Sequence, residues 1–139
     1  MIIKECKRGE LLSSSKAVSD LLKSILNMES EIDQDREHFW VIGLNAKNRL
    51  LFIDLASLGV LTGSLVSPMN VFRLAISRGV ASVIVGHNHP SGDPTPSRDD
   101  IAVSERLKKA GEILGVSLLD HVIIGSDEQF VSLREKGIL

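Results

Sequence analysis

Apolar positions along the chain change rhythm in a regular order, and each rhythm predicts an element. Ala17, Val18, Leu21, Leu22, Ile25 and Leu26 follow helical spacing behind Ser13 to Ser15, which predicts an amphipathic helix ending near Asn27. Polar residues from Glu29 to Arg36 predict a connector. Phe39 to Leu44 and Leu50 to Ala56 are strand-like runs on either side of Asn45-Ala46-Lys47-Asn48, the pattern of a hairpin. Ser67-Pro68 places a cap and a first-turn proline ahead of Val71, Phe72, Ala75 and Ile76, and Gly79 should stop that helix. Val80 to Val85 is continuously apolar, as a strand buried on both faces must be. Ile101, Val103, Leu107, Ala110 and Leu114 predict a second long helix stopped by Gly115, followed by strands over Val116 to Ile124 and Phe130 to Leu133. The order α-β-β-α-β-α-β-β predicts a sheet with helices on its faces, an α/β sandwich.

Length and composition narrow the class. The 139 residues contain no repeat, linker or low-complexity stretch, so residues 1–139 are expected to form a single domain large enough to bury a core. A hydrophobic content of 43% with 24% charged residues is that of a globular protein, and no apolar run approaches the ~20 residues of a membrane span. The first residues, Met1 to Lys7, lack the apolar stretch of a signal peptide, and Cys6 has no internal partner for a disulfide. Both features predict a cytoplasmic protein. The net charge of −2 supplies no global field toward phosphate backbones, and Arg106-Leu107-Lys108-Lys109, flanked by Glu105 and Glu112, reads as a solvated helix face. DNA binding by this chain alone is therefore not expected.

The chemistry concentrates in one loop. His87-Asn88-His89 follows the buried strand and precedes Pro90-Ser91-Gly92-Asp93-Pro94-Thr95-Pro96-Ser97-Arg98-Asp99-Asp100. In an extended segment alternate side chains share a face, so His87 and His89 can grip one ion with Asn88 turned away. Asp100, at the start of the next helix, can add an oxygen, and two His with one carboxylate leave an open position on a tetrahedral ion. Asp93 and Asp99 are the other candidate ligands. Ser97 with Asp100 also reads as a helix cap, compatible with a ligand role for Asp100. The same donor set suits non-haem iron, which sequence does not exclude. His121 follows Asp120 in an apolar strand, and the two read as a supporting pair rather than as ligands. His38 should point away from the side on which Glu37 lies, and Trp40 reads as core. A zinc deaminase would need His-x-Glu and Cys-x-x-Cys, and Cys6 is the only cysteine. The letters His-Asn-His do not make the nuclease motif of that name, which is spread over a long ββα unit.

His-x-His, seven residues, Ser, two residues, Asp, satisfied by His87, His89, Ser97 and Asp100, resembles the JAMM motif of JAB/MPN-domain metalloproteins. The string from His87 to Pro94, the pair Pro96-Ser97 and Leu118-Leu119-Asp120-His121 resemble more narrowly the C-terminal domain of RadC-like proteins, over about Glu37 to Leu139. The resemblance implies a three-layer α/β/α sandwich with a mixed sheet, related in fold to cytidine deaminases. It implies Zn2+ on His87, His89 and Asp100. It also implies a glutamate at the start of an upstream strand, by position Glu37, as general base, and Ser97 as a hydroxyl near the developing oxyanion. By the residues alone, Glu29, Glu31 and Asp54 remain alternatives to Glu37. The implied activity is hydrolysis of an amide or isopeptide bond in a protein or peptide substrate. The competing expectation is a non-catalytic metal-binding module associated with DNA repair. The helix-hairpin-helix module that RadC-like proteins often carry ahead of this domain is not found in the sequence.

Overall fold

A computed structural model describes residues 2–3, 9–59 and 66–139; Cys6 lies outside them. The elements are strand β1 (Ile2–Ile3), helices α1 (Ser15–Asn27) and α2 (Glu31–Gln34), the strands β2 (His38–Leu44) and β3 (Leu50–Leu58), helix α3 (Pro68–Arg78), strand β4 (Ser82–Asn88), helix α4 (Arg98–Leu114), and strands β5 (Ser117–Ile124) and β6 (Phe130–Ser132). They build a six-stranded mixed sheet in the order β1-β3-β2-β4-β5-β6, in which β4 and β5 run parallel and the other neighbours antiparallel.

Side-chain alternation along the strands divides the core in two. Trp40, Ile42, Ile84 and Val122 face Val18, Leu21, Leu22 and Ile25 of α1. Phe39, Val41, Val83 and Val85 face Val71, Phe72 and Ala75 of α3 and Val103 and Leu107 of α4. The result is the three-layer α/β/α sandwich that the resemblance implies. Leu22, Phe72 and Leu107 have no exposed surface, and each such side chain contributes about 1.5–3 kcal/mol through burial. Trp40 belongs to this core.

The helices start where capping chemistry dictates. Ser14, Ser67 and Ser97 each accept a backbone N–H of the first turn, and α3 and α4 stop at Gly79 and Gly115. Asn45 closes the β2–β3 hairpin by accepting from the backbone N–H groups of Lys47 and Arg49 at 2.9 and 3.0 Å.

Three expectations need correction. The polar connector contains α2, capped by Ser30, whose hydroxyl accepts from the backbone of Asp33. The strand expected over Val80 to Val85 runs instead from Ser82 to Asn88, because ladders with β2 and β5 continue through His87. Glu37 precedes β2 rather than opening it. In the basic stretch of α4, Leu107 is core and Arg106 donates to the Val66 carbonyl at 2.8 Å, while Lys108 and Lys109 are exposed. No helix among the described residues is long and apolar enough to cross a membrane.

Candidate metal centre

The C-terminal end of β4 is held on both sides, by β2 and by β5, so what it carries is rigidly placed. His87 lies on the α4 side with Val83 and Val85, and Asn88 turns to the other side. The backbone N–H of His89 donates to Ile124 at 3.0 Å and prolongs the contact with β5 beyond the strand. The loop then folds onto the end of β5: Gly92, at φ 91°, accepts at its carbonyl from Ser126 at 2.9 Å. A side chain at Gly125 would meet that carbonyl at 2.3 Å, so the close approach requires glycine there. This turn brings the Asp93 carbonyl 2.8 Å from Nδ1 of His89, which must donate to it. The proton is thereby assigned to Nδ1, and Nε2 of His89 presents a lone pair.

Asp100 comes from the first turn of α4. Ser97 Oγ accepts from the Asp100 backbone at 3.0 Å, and Asp100 Oδ2 accepts from the Ser97 backbone at 2.8 Å, a reciprocal capping box. That cap aims the carboxylate at the histidines. Asp100 Oδ1 lies 3.0 Å from His87 Nε2, Asp100 Oδ2 lies 3.0 Å from His89 Nε2, and the two Nε2 atoms are 2.9 Å apart. Among the described residues, His87, His89 and Asp100 are the group whose ligand atoms converge in this way. Asp93 is turned to Thr95, whose hydroxyl and backbone both donate to it, and Asp99 is exposed.

His87 is oriented by a buried chain of hydrogen bonds. Ser104, four residues along α4 from Asp100, donates its hydroxyl to the Asp100 carbonyl at 2.9 Å and accepts from Nδ1 of His121. His121 Nε2 then accepts from Nδ1 of His87 at 2.7 Å. Burial, and next the neighbouring His87, push the His121 pKa well below its usual value, which keeps this ring neutral. The chain leaves Nε2 of His87 without a proton. Two imidazole lone pairs and a carboxylate aimed at one point repel one another unless a cation stands among them. A tetrahedral ion with ligands about 2.0–2.1 Å away spaces them about 3.3 Å apart, so the cluster accepts one by opening a few tenths of an ångström. The donor set and its spacing therefore fit a metal ion.

Charge behaves accordingly. Burial raises the Asp100 carboxyl, but its contacts with Nε2 of His87 and of His89, which become hydrogen-bond donors when a second proton enters the ring, outweigh it and hold the group far below the usual carboxylate range. The hydrogen bond to Asp100 raises the pKa of His89 against desolvation, and the negative charge of Glu37 adds to the rise. A proton on His89 thus occupies the place of a cation, and the two compete. In the metal-free protein this proton stabilises the fold below the ordinary imidazole pKa, and the contribution is lost as pH rises through the raised value. Metal affinity runs the opposite way: titrations with zinc should show weaker binding near about pH 6 than near about pH 8. An affinity flat across that range would exclude a shared proton.

Glu37 stands beside this cluster. Its carbonyl accepts from Gly59 at 2.8 Å, and it lies two residues beyond the last β2–β4 pair, Phe39 opposite His87, with its charge acting on His89. A cavity of about 340 Å³ lined by Asp35, Arg36, Glu37, Gly59 and Pro90 opens there. The alternatives lie elsewhere: Glu29 is 4.0 Å from His38 Nε2, Glu31 is exposed on α2, and Asp54 is in the middle of β3. His38 stacks on Trp40 on the α1 side, and its buried Nε2 has no hydrogen bond.

Ser104 is a contributor that the His-x-His, Ser, Asp pattern does not name; its spacing of four from Asp100 on one helix is the sequence signal that points to it. The expected Asp120–His121 pair is different in kind. Adjacent strand residues face opposite ways, so Asp120 accepts from the backbone N–H of His121 at 2.7 Å, not from its ring, and from Ser132 Oγ at 2.6 Å. His121→Ala, which deprives His87 Nδ1 of its acceptor, should lower metal affinity by about 10–100-fold, measured by titration of the metal-free protein. Unchanged affinity would make the His121 ring a packing residue only.

Comparison with known proteins agrees with this geometry. The chain is 53% identical over 114 residues to a UPF0758 protein of Desulforamulus reducens, covering 82% of this chain and 50% of that protein. It is 45% identical over 139 residues to a UPF0758 protein of Desulfitobacterium hafniense, covering 94% of this chain and 61% of that one. It spans about half the length of several of the curated relatives that it matches. The family model described as RadC-like JAB domain matches residues 12–138, which include every residue of the cluster and Glu37, and the chain belongs to that family.

Proposed function

We propose that this domain is a zinc-dependent hydrolase of amide or isopeptide bonds in a protein or peptide substrate. The observation that carries the reading is the convergence of His87 Nε2, His89 Nε2 and an Asp100 carboxylate oxygen on one point, with both imidazole protons committed elsewhere. Bound there, zinc supplies Lewis acidity and lowers the pKa of a water from 15.7 toward about 7. The chain's own groups supply the rest. Glu37, whose charge acts on His89, takes the proton of the attacking water and returns it to the leaving amine. Ser97 accepts the cap bond from Asp100 through a lone pair, so its O–H remains able to donate to the carbonyl oxygen as negative charge develops there. Pro90 and Gly59, beside Glu37, border the cavity in which a substrate backbone would lie.

The test is hydrolysis of a panel of peptides and lysine-linked isopeptides by zinc-loaded protein, chelator-stripped protein and stripped protein given zinc again. Activity that disappears on stripping and returns with zinc supports the reading. Hydrolysis indifferent to stripping would overturn it, and activity restored by ferrous iron but not by zinc would reassign the metal. Duplex DNA is not the partner proposed, since a net charge of −2 supplies no global field toward phosphate backbones.

A further inference from the structure

The residue between the two histidines is not idle. Asn88 is 3% exposed and turns to the face opposite the metal cluster. Its Oδ1 accepts from the backbone N–H of His38 at 2.6 Å. Its Nδ2 donates to the Arg36 carbonyl at 2.9 Å and lies 3.5 Å from the Gln34 carbonyl. The carboxamide thus bonds to the peptide groups on both sides of Glu37. The location matters because the ladder between β2 and β4 ends at Phe39 opposite His87, two residues short of Glu37. Beyond it, the segment from α2 into β2 is polar and carries the turn residues Asp35 and Arg36, which are exposed. Where backbone pairing stops, the Asn88 side chain stands in for a strand partner.

We propose that Asn88 is a positioning residue that sets the Glu37 carboxylate against the metal cluster, an inference that rests on the reading of Glu37 as general base. The arrangement links two roles through three consecutive residues. His87 and His89 present their rings on one side of β4 while Asn88, on the other, holds the chain that bears the base. Any shift of the ligand strand therefore carries the base with it, and their separation is conserved during such motion. A backbone held by two hydrogen bonds of known direction also fixes the side on which Glu37 projects, because the flanking His38 is anchored on the α1 face by stacking on Trp40 at 5.2 Å.

The test uses the full chain loaded with cobalt in place of zinc and compares wild type, Asn88→Ala, Glu37→Gln and the double variant. Metal content should equal wild type in all four, since the carboxamide faces away from the ligands. The His38 amide should exchange with solvent about tenfold faster in Asn88→Ala, while Val122 and Ile123 in the core keep wild-type protection. The pH midpoint of the cobalt visible absorption, which Glu37→Gln displaces, should be displaced in the same direction by Asn88→Ala, by roughly half as much or more, and no further in the double variant than in Glu37→Gln. That non-additivity is what a purely structural role would not produce. A wild-type midpoint in Asn88→Ala, a double-variant shift equal to the sum of the two, or loss of metal would each overturn the proposal. A midpoint unmoved by Glu37→Gln would overturn the base reading itself, a result distinguishable from failure of the clamp alone. Should Asn88→Ala not fold, Asn88→Asp serves: it keeps the shape and the acceptor for His38 but sets a carboxylate oxygen against the Arg36 and Gln34 carbonyls, and the same four-way comparison applies.

Discussion

Glu37→Gln should leave the metal bound and reduce hydrolysis by about 10²–10⁴-fold, the contribution of a well-placed general base. Gln keeps the length and hydrogen-bonding capacity of the side chain, and the contacts of this segment that are seen in the backbone, Glu37 to Gly59 and His38 to Asn88, do not depend on the carboxylate. What Gln lacks is a basic oxygen. The lost charge acts on the cluster in two offsetting ways, because it weakens the attraction of the site for a proton on His89 as well as for a cation. Metal occupancy at saturation is therefore the same, and the comparison is made at matched loading, with any peptide or isopeptide that the wild type cleaves. Near-full activity in the variant would remove Glu37 from the chemistry, whereas loss of metal would make it a ligand or a support for one.

The helices were legible because each carries its own signal. Serine caps, helical spacing of apolar residues and terminal glycines are local features, and α1, α3 and α4 begin and end where these place them. Strand ends are set by neighbours instead. The apolar run stops at Val85, yet β4 continues through His87 and Asn88 because β2 and β5 still offer partners there. The short α2 had a signal, Ser30 three residues ahead of Asp33, which the surrounding polarity concealed. At the site, period-two alternation was enough to put His87 and His89 together and to turn Asn88 away. It could not say what Asn88 meets, since Arg36 and His38 lie fifty-odd residues earlier in the chain. The same distance hid the approach of His121 to His87, 34 residues apart. Adjacency in sequence points the wrong way here as well, because adjacent strand residues face apart, and His121 belongs with the rings on its own side of the sheet rather than with Asp120.

His89→Ala should empty the site, with a loss of affinity larger than the 10–100-fold that supporting residues cost, because it removes one of the three protein ligands outright and the remaining two hold an ion far more weakly. The fold should survive this change. The His89 side chain is partly exposed, and the hydrogen bonds that anchor the loop, His89 to Ile124 and Ser126 to Gly92, belong to the backbone. Asp100→Ala should be equally damaging to metal binding but also destabilises the metal-free protein, by about 0.5–2 kcal/mol, since the carboxylate completes the cap of α4 and the Ser97 backbone N–H loses its acceptor. The pair of variants separates the two duties of this helix start. Elemental analysis should find about one zinc per wild-type chain and little in either variant, while thermal unfolding after chelation should distinguish them, with Asp100→Ala melting lower than His89→Ala. Full zinc in His89→Ala would move the metal to another donor set and leave the converging rings without a ligand role. Equal melting temperatures would show that the Asp100 carboxylate adds nothing to the cap, and that its orientation is maintained for the metal alone.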